Sequence, residues 1–261
     1  MSDWNALWDD QYKQTFQIKD SMRDTYSIGL MHVFDSYFKT LLSWYKSGQD
    51  NAGSAYTSEL YNADVNTIFN NINNLDAFNA LVAKIEKDSA KPTVYTIDDI
   101  IEKVQNSLIS LKDQSFGLEV DSGKTDITTG KMSGIDTAWS GDAITSIAGG
   151  EEREHPVSLY YSIPKTGGNI WFDAWVLPSE CQNKEYAQKF IDFVSRPDVA
   201  AKNMDYIGYT SFVAGDDILD LTRDNYDART KAMYVYDDTL GDYVYDENEE
   251  KVFKDGTGEH E

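Results

Sequence analysis

Only one cysteine, Cys181, occurs in the 261 residues. That excludes an internal disulfide and any metal centre built from several thiolates, and says little about compartment. Histidine is nearly as scarce. His32, His155 and His260 lie far apart, with neither an HExxH string nor paired spacing, which argues against zinc. Basic residues are outnumbered, 23 against 45 acidic, for a formal net charge of −22. Nucleic acid and anionic membrane surfaces both require a positive footprint, so neither is expected as a partner. The charge is compatible with a cationic ligand but does not show one, and a heavily solvated acidic surface is the plainer account of it. No apolar run approaches the ~20 residues that span a bilayer. The first residues, MSDWNALWDDQYK, are acidic and carry no apolar h-region, so they read as lacking a signal peptide. On that ground the chain is expected to be cytoplasmic or a piece of something larger.

What is present is the composition of a folded protein: 41% hydrophobic and 26% charged residues, enough for one large domain or two modest ones. Apolar spacing predicts a helix from Ser21 to a stop at Gly48, opened by the S-x-x-D pair Ser21 and Asp24. Residues 49–94 are rich in Asn and Asp but keep helical stripes such as Phe78, Leu81, Val82 and Ile85. TIDDIIEKVQNSLISLK predicts a helix capped by Thr96 and Asp99. From Phe116 the period changes. SGIDTAWS, PVSLYYSIP and NIWFDAWVLP predict strands, with a short helix at GDAITSIAGG. NKEYAQKFIDFVSRP predicts a further helix with Tyr186, Phe190, Ile191 and Val194 inward and Pro197 as its stop. Alternating strands and helices imply an α/β sheet with helices on its faces. The repeated YVYD at 234–237 and 243–246 predicts a β-hairpin, followed by a short strand at KVFK and a disordered end.

Several motifs fail on spacing. SGKT at 122–125 resembles a phosphate-binding loop, but the required glycine position holds Leu118. The acidic tail lacks the D-x-D-x-D-G order of a calcium loop. Cys181 as a nucleophile would need a histidine, and nothing beyond the existence of His155 supports one.

A stronger pattern joins Asp24, which opens the first long helix, with Trp139, Trp171 and Asp173. Trp139 falls on a strand-to-helix turn, where open α/β sheets bind ligands. Trp171 and Asp173 are two apart, so a strand would aim both at one face. A carboxylate in so apolar a run as NIWFDAWVLP is costly to bury unpaired. With a tryptophan beside it, it can hold an organic cation. The cation–π contact contributes about 2 kcal/mol when desolvated, and an ion pair at ~4 Å contributes about 4 kcal/mol at an effective dielectric near 20. Desolvation of several kcal/mol per ion offsets one such pair. Several carboxylates and an aromatic wall would therefore be needed. Core packing for the tryptophans, a capping role for Asp24 and a turn role for Asp173 are the plain alternatives.

LWDDQYKQTFQIKDSMRDTYSIGL, DTAWSGDAITSI, SIPKTGGNIWFDAWVLP and NKEYAQKFIDFVSRPDVAAKNMDYIGYTS resemble, in that order, the second half of the spermidine/putrescine (polyamine) substrate-binding proteins of bacterial ABC transporters. W-x-G-D-A, G-G-x-x-W-x-D and N-K-E-x-A-x-K-F-I-x-F-x-x-R-P carry the resemblance, over roughly residues 4–30 and 130–212. It implies a type II periplasmic-binding-protein-like α/β lobe with a mixed sheet, flanking helices and a C-terminal hairpin, from a truncated two-lobe protein. It also implies that Trp139, Trp171 and Asp173 wall the polyamine and that Asp24 contacts an amine. Ser21 stands where some members have an acidic residue, and nearby Asp20 could compensate.

The expected organisation is a second-lobe domain at 1–165 with a helical insert at 49–94, hinge-crossing elements of the first lobe at 166–230, and an acidic hairpin tail at 231–261. The expected function is extracytoplasmic capture of polyamine for the permease subunits of an ABC importer, without enzymatic activity, cofactor or metal. On this reading the chain alone binds polyamine weakly or not at all. Capture of another small solute, or glycan or protein binding at a cell surface, are the alternatives.

Overall fold

The computed structural model describes residues 3–132, 134–223, 236–237, 239 and 242–244. The chain folds as two compact units. Unit 1 comprises residues 1–123, 132–137 and 163–169, and unit 2 comprises 124–131, 138–162 and 170–261.

Unit 1 is built on a three-stranded parallel sheet. Strand β1 (Phe16–Lys19) lies between β2 (Gly117–Glu119) and β3 (Ile135–Asp136). All four residues of β1 are buried, as expected of a central parallel strand covered on both faces. Phe16 and Ile18 point to one side and join the main apolar core. Gln17 and Lys19 point to the other, where Lys19 meets Glu119, its neighbour in register on β2, at 2.6 Å. Strand β1 is not among the elements expected from the sequence, since FQIK shows no strand alternation when both faces are covered.

The helix expected at 21–48 is two helices, α1 (Met22–Val33) and α2 (Asp35–Ser47). They break at Phe34, whose ring is wholly buried against Phe78 (5.2 Å, edge-on) and Tyr95 (5.5 Å, edge-on). Gly48 ends α2 in the left-handed conformation, φ 72°, the cap for which glycine has no Cβ penalty. Residues 49–94 form α3 (Ser58–Phe69) and α4 (Leu75–Ile85). Ile68, Phe78, Leu81 and Val82 share one core with Phe34, Phe38 and Leu41, so this stretch belongs to the body of unit 1. Helix α5 (Ile97–Gln114) opens with the reciprocal capping box of Thr96 and Asp99, and its Ile100, Val104 and Leu111 are buried.

Unit 2 departs further from the pattern. Helix α6 (Gly123–Thr128) begins at the unit boundary, and α7 (Ser140–Glu151) follows Trp139, its N-cap. PVSLYYSIP and NIWFDAWVLP are not strands. Both are irregular, with no ladder partner among the described residues. The β propensity of such runs needs a neighbouring strand to be realised, and β1 is already paired on both sides. In consequence their large side chains face outward: Ile170 is 95% exposed, Phe172 88% and Val176 80%.

Helix α8 (Lys184–Val194) forms where expected, but Tyr186 and Phe190 are exposed rather than inward, and none of the helix's residues is fully buried. Trp175 meets Phe190 edge-on at 5.3 Å. Pro197 does not stop α8, which has already ended at Val194. It starts α9 (Pro197–Ile207) at a first-turn position, where its missing N–H costs nothing. The expected hairpin is present as β4 (Tyr236–Asp237) and β5 (Asp242–Tyr243), antiparallel with Tyr236 opposite Tyr243. The strand expected at 251–254 and the end of the chain lie outside the described residues.

Candidate functional site

Unit 2 brings Trp139 and Trp171 together with one further ring, Tyr209. The Trp139 and Trp171 ring centroids are 6.5 Å apart at 57°. The Trp171 ring meets Tyr209 at 6.4 Å, nearly edge-on at 70°. These are ordinary separations for aromatic pairs, and the three rings make a corner rather than a stack. Trp171 remains 41% exposed, so it is not a core residue. Trp139 is half-buried.

The backbone explains how the corner is assembled. Trp139 is extended (φ −70°, ψ 154°) and caps α7, which places Gly141 and Asp142 in the first turn of that helix. Gly208 closes α9 in the left-handed region, φ 75°, and delivers Tyr209 directly after the turn. The Tyr209 ring lies so close over Gly141 that a Cβ there would fall 2.1 Å from ring carbons. The glycine of W-x-G-D-A is thus a space requirement. Gly141→Ala is expected to displace the Tyr209 ring, seen as a changed tyrosine and tryptophan near-UV circular dichroism band, while α7 itself persists.

Electrostatics mark the same spot. Burial pushes the Tyr209 phenol up to about 12, and the charges of Asp142, Tyr161 and Asp173 push in the same direction; a hydrogen bond from the Asp142 backbone opposes them. Asp142 directly follows Gly141 beneath the Tyr209 ring, and the Asp173 charge acts on the same phenol. Asp142 is also 3.5 Å from the ammonium of Lys124. Asp173 itself is exposed, which answers the oddity of a carboxylate in an apolar run: the run is on the surface and the charge is not desolvated.

The remaining sequence candidates lie in unit 1. Ser21 caps α1, its Oγ accepting the Asp24 backbone N–H at 3.5 Å. Asp24 is half-buried in the first turn, and its Oδ1 accepts from Asn169 Nδ2 at 3.4 Å. Asp20 is exposed, and its backbone N–H donates to Glu119 O at 2.7 Å. Unit 1 also holds an open groove of about 450 Å³, lined by Ile18, Tyr26, Ile101, Leu108 and Leu118 among others; it offers no carboxylate to an amine. Sequence reasoning missed Tyr209, Tyr161 and Asp142. Asp142 and Tyr209 sit inside the strings DTAWSGDAITSI and MDYIGYTS, and a glycine before a lone aromatic at a helix end was the available signal for Tyr209.

Residues 1–215 match the family described as bacterial extracellular solute-binding protein. The chain belongs to that family. Its members bind solutes and are not enzymes. Among this solute-binding protein's relatives is a putrescine-binding periplasmic protein of Escherichia coli (strain K12), 33% identical over 73 residues, which cover 28% of this chain and 20% of the relative. A spermidine/putrescine-binding periplasmic protein of the same organism is 31% identical over 109 residues, covering 42% and 29%. The chain thus spans less than a third of the length of these curated relatives. A crystal structure of a spermidine/putrescine ABC transporter substrate-binding protein from Streptococcus pneumoniae aligns over 85% of this chain and 48% of that one, at 20% identity and a TM-score of 0.45.

Proposed function

We propose that this solute-binding protein captures polyamines outside the cytoplasm for an ABC importer, using the aromatic corner of unit 2 and its two carboxylates. The observation that carries the reading is the meeting of Trp139, Trp171 and Tyr209, with Asp142 next to the Gly141 that the Tyr209 ring covers; the Asp173 charge acts on the same phenol. A polyamine is a flexible chain of methylenes carrying ammonium groups. Indole and phenol faces suit the methylenes and attract the cations, while carboxylates supply counter-charge. The names of the two relatives supply the ligand class. Asp24 enters the proposal from the resemblance alone, as a second source of negative charge, with Ser21 and Asp20 beside it. Delivery to permease subunits, through closure that ligand binding favours, completes the proposed cycle.

Titration of the chain with spermidine and putrescine, followed by calorimetry and tryptophan fluorescence, tests this. Weak, saturable binding is expected, above micromolar Kd, abolished by Asp173→Asn and falling steeply as salt rises from low to physiological ionic strength. Sugar stacking on the tryptophans would barely respond to salt. Binding that is insensitive to salt and survives Asp173→Asn overturns the polyamine reading in favour of a neutral ligand.

A further inference from the structure

Lys124 belongs to the SGKT string that fails as a phosphate-binding loop, yet the fold gives it a definite address. It stands at the second position of α6, where Thr128 Oγ1 donates to its carbonyl at 2.9 Å. Its Nζ lies 3.5 Å from Asp142 Oδ1, with the lysine side chain 36% exposed and the aspartate 14%. Asp142 directly follows Gly141, the residue covered by the Tyr209 ring, and its charge acts on the Tyr209 phenol. A protein ammonium therefore already stands at one of the two negative groups of the aromatic corner.

We propose that Lys124 is a tethered counter-cation that sets ligand choice at this site, favouring a diamine over a triamine. This rests on the polyamine reading above. An amine entering at Asp173 meets a carboxylate that no ammonium among the described residues holds, on the segment that carries Trp171. A further ligand amine seeking Asp142 must displace Lys124 or sit beside a like charge, and with the aspartate side chain only 14% exposed that repulsion is poorly screened. Because the lysine is covalently held, its effective concentration at Asp142 exceeds that of a free ligand. It thus removes most of the advantage that a third ammonium group would otherwise give.

The segment supplies its own control. Lys131 follows α6 and pairs with Asp126 at 2.8 Å, so it carries the same charge on the same short stretch with a different partner. Putrescine and spermidine affinities are to be measured by calorimetry at physiological ionic strength for the parent chain, Lys124→Met, Lys124→Arg and Lys131→Met, each checked for an unchanged circular dichroism spectrum. Lys124→Met should raise the spermidine-to-putrescine affinity ratio about tenfold, the effect of one like-charge contact at a partly exposed site. Lys124→Arg should keep the parent ratio, and Lys131→Met should alter it far less than Lys124→Met. An equal change for both ligands, or a Lys131→Met effect as large as that of Lys124→Met, overturns the role of Lys124 while leaving polyamine capture intact. Failure of every variant to bind either amine at millimolar concentration overturns the polyamine reading and this inference with it.

Discussion

Trp171→Ala should weaken spermidine binding about thirtyfold, the equivalent of the roughly 2 kcal/mol that a cation–π contact contributes once the bound ligand desolvates the ring. Trp171 is the ring that touches both other members of the corner, at 6.5 Å from Trp139 and 6.4 Å from Tyr209. Its loss removes a wall and loosens the other two. Because it is 41% exposed and lies in an irregular segment, little folding stability depends on it. Calorimetric affinity should therefore collapse while the urea unfolding midpoint barely moves. Trp171→Phe, which keeps a smaller ring, should fall between. A Trp171→Ala chain with parent affinity would place the ligand elsewhere.

The largest stability effect is expected at Lys19. Its ammonium is 2.6 Å from Glu119, with side chains only 4% and 1% exposed, and it also donates to Val120 O at 2.9 Å. Glu119 Oε2 accepts the Gly123 N–H at 2.8 Å. Lys19→Met leaves a carboxylate buried without its cation, which costs about 3–5 kcal/mol. Urea denaturation should show that loss directly. Adding Glu119→Gln to Lys19→Met should restore most of it, because the remaining amide oxygen can still accept from Gly123 and no uncompensated charge is left. If the double variant is no more stable than the single one, the pair is not what the sheet depends on.

The helices of unit 1 were legible because their signals are local. The Thr96 and Asp99 box caps α5 by two reciprocal bonds, and Gly48 ends α2 at φ 72°. Each is decided within a few residues, and the apolar stripe of α4 does point into the core, as do Ile100, Val104 and Leu111 of α5, whereas Ile97 and Ile101 of the same expected face are exposed. The break at Phe34 was invisible, since it is set by a ring wedged between Phe78 and Tyr95 from far along the chain. Strand β1 was missed because burial on both faces erases the alternation that identifies a strand. In unit 2 the reverse error occurred. NIWFDAWVLP has strand chemistry, but a strand is a relation between two segments, and none of the described residues pairs with it. The same holds for α8, whose periodicity predicts the helix but cannot say which face finds a partner.

By itself the sequence determined the helical character of residues 21–48 and 97–112, the placing of Trp139 on a helix-opening turn, and the kinship to solute-binding proteins, all of which are written in residue spacing or motif strings. Only the tertiary structure decided that Trp139 and Trp171 meet, that Tyr209 completes their corner over Gly141, and that Lys124 stands at Asp142. Those contacts join residues from 18 to 68 positions apart, and the close approach at Gly141 and the turn at Gly208, rather than any local pattern, bring Tyr209 within reach.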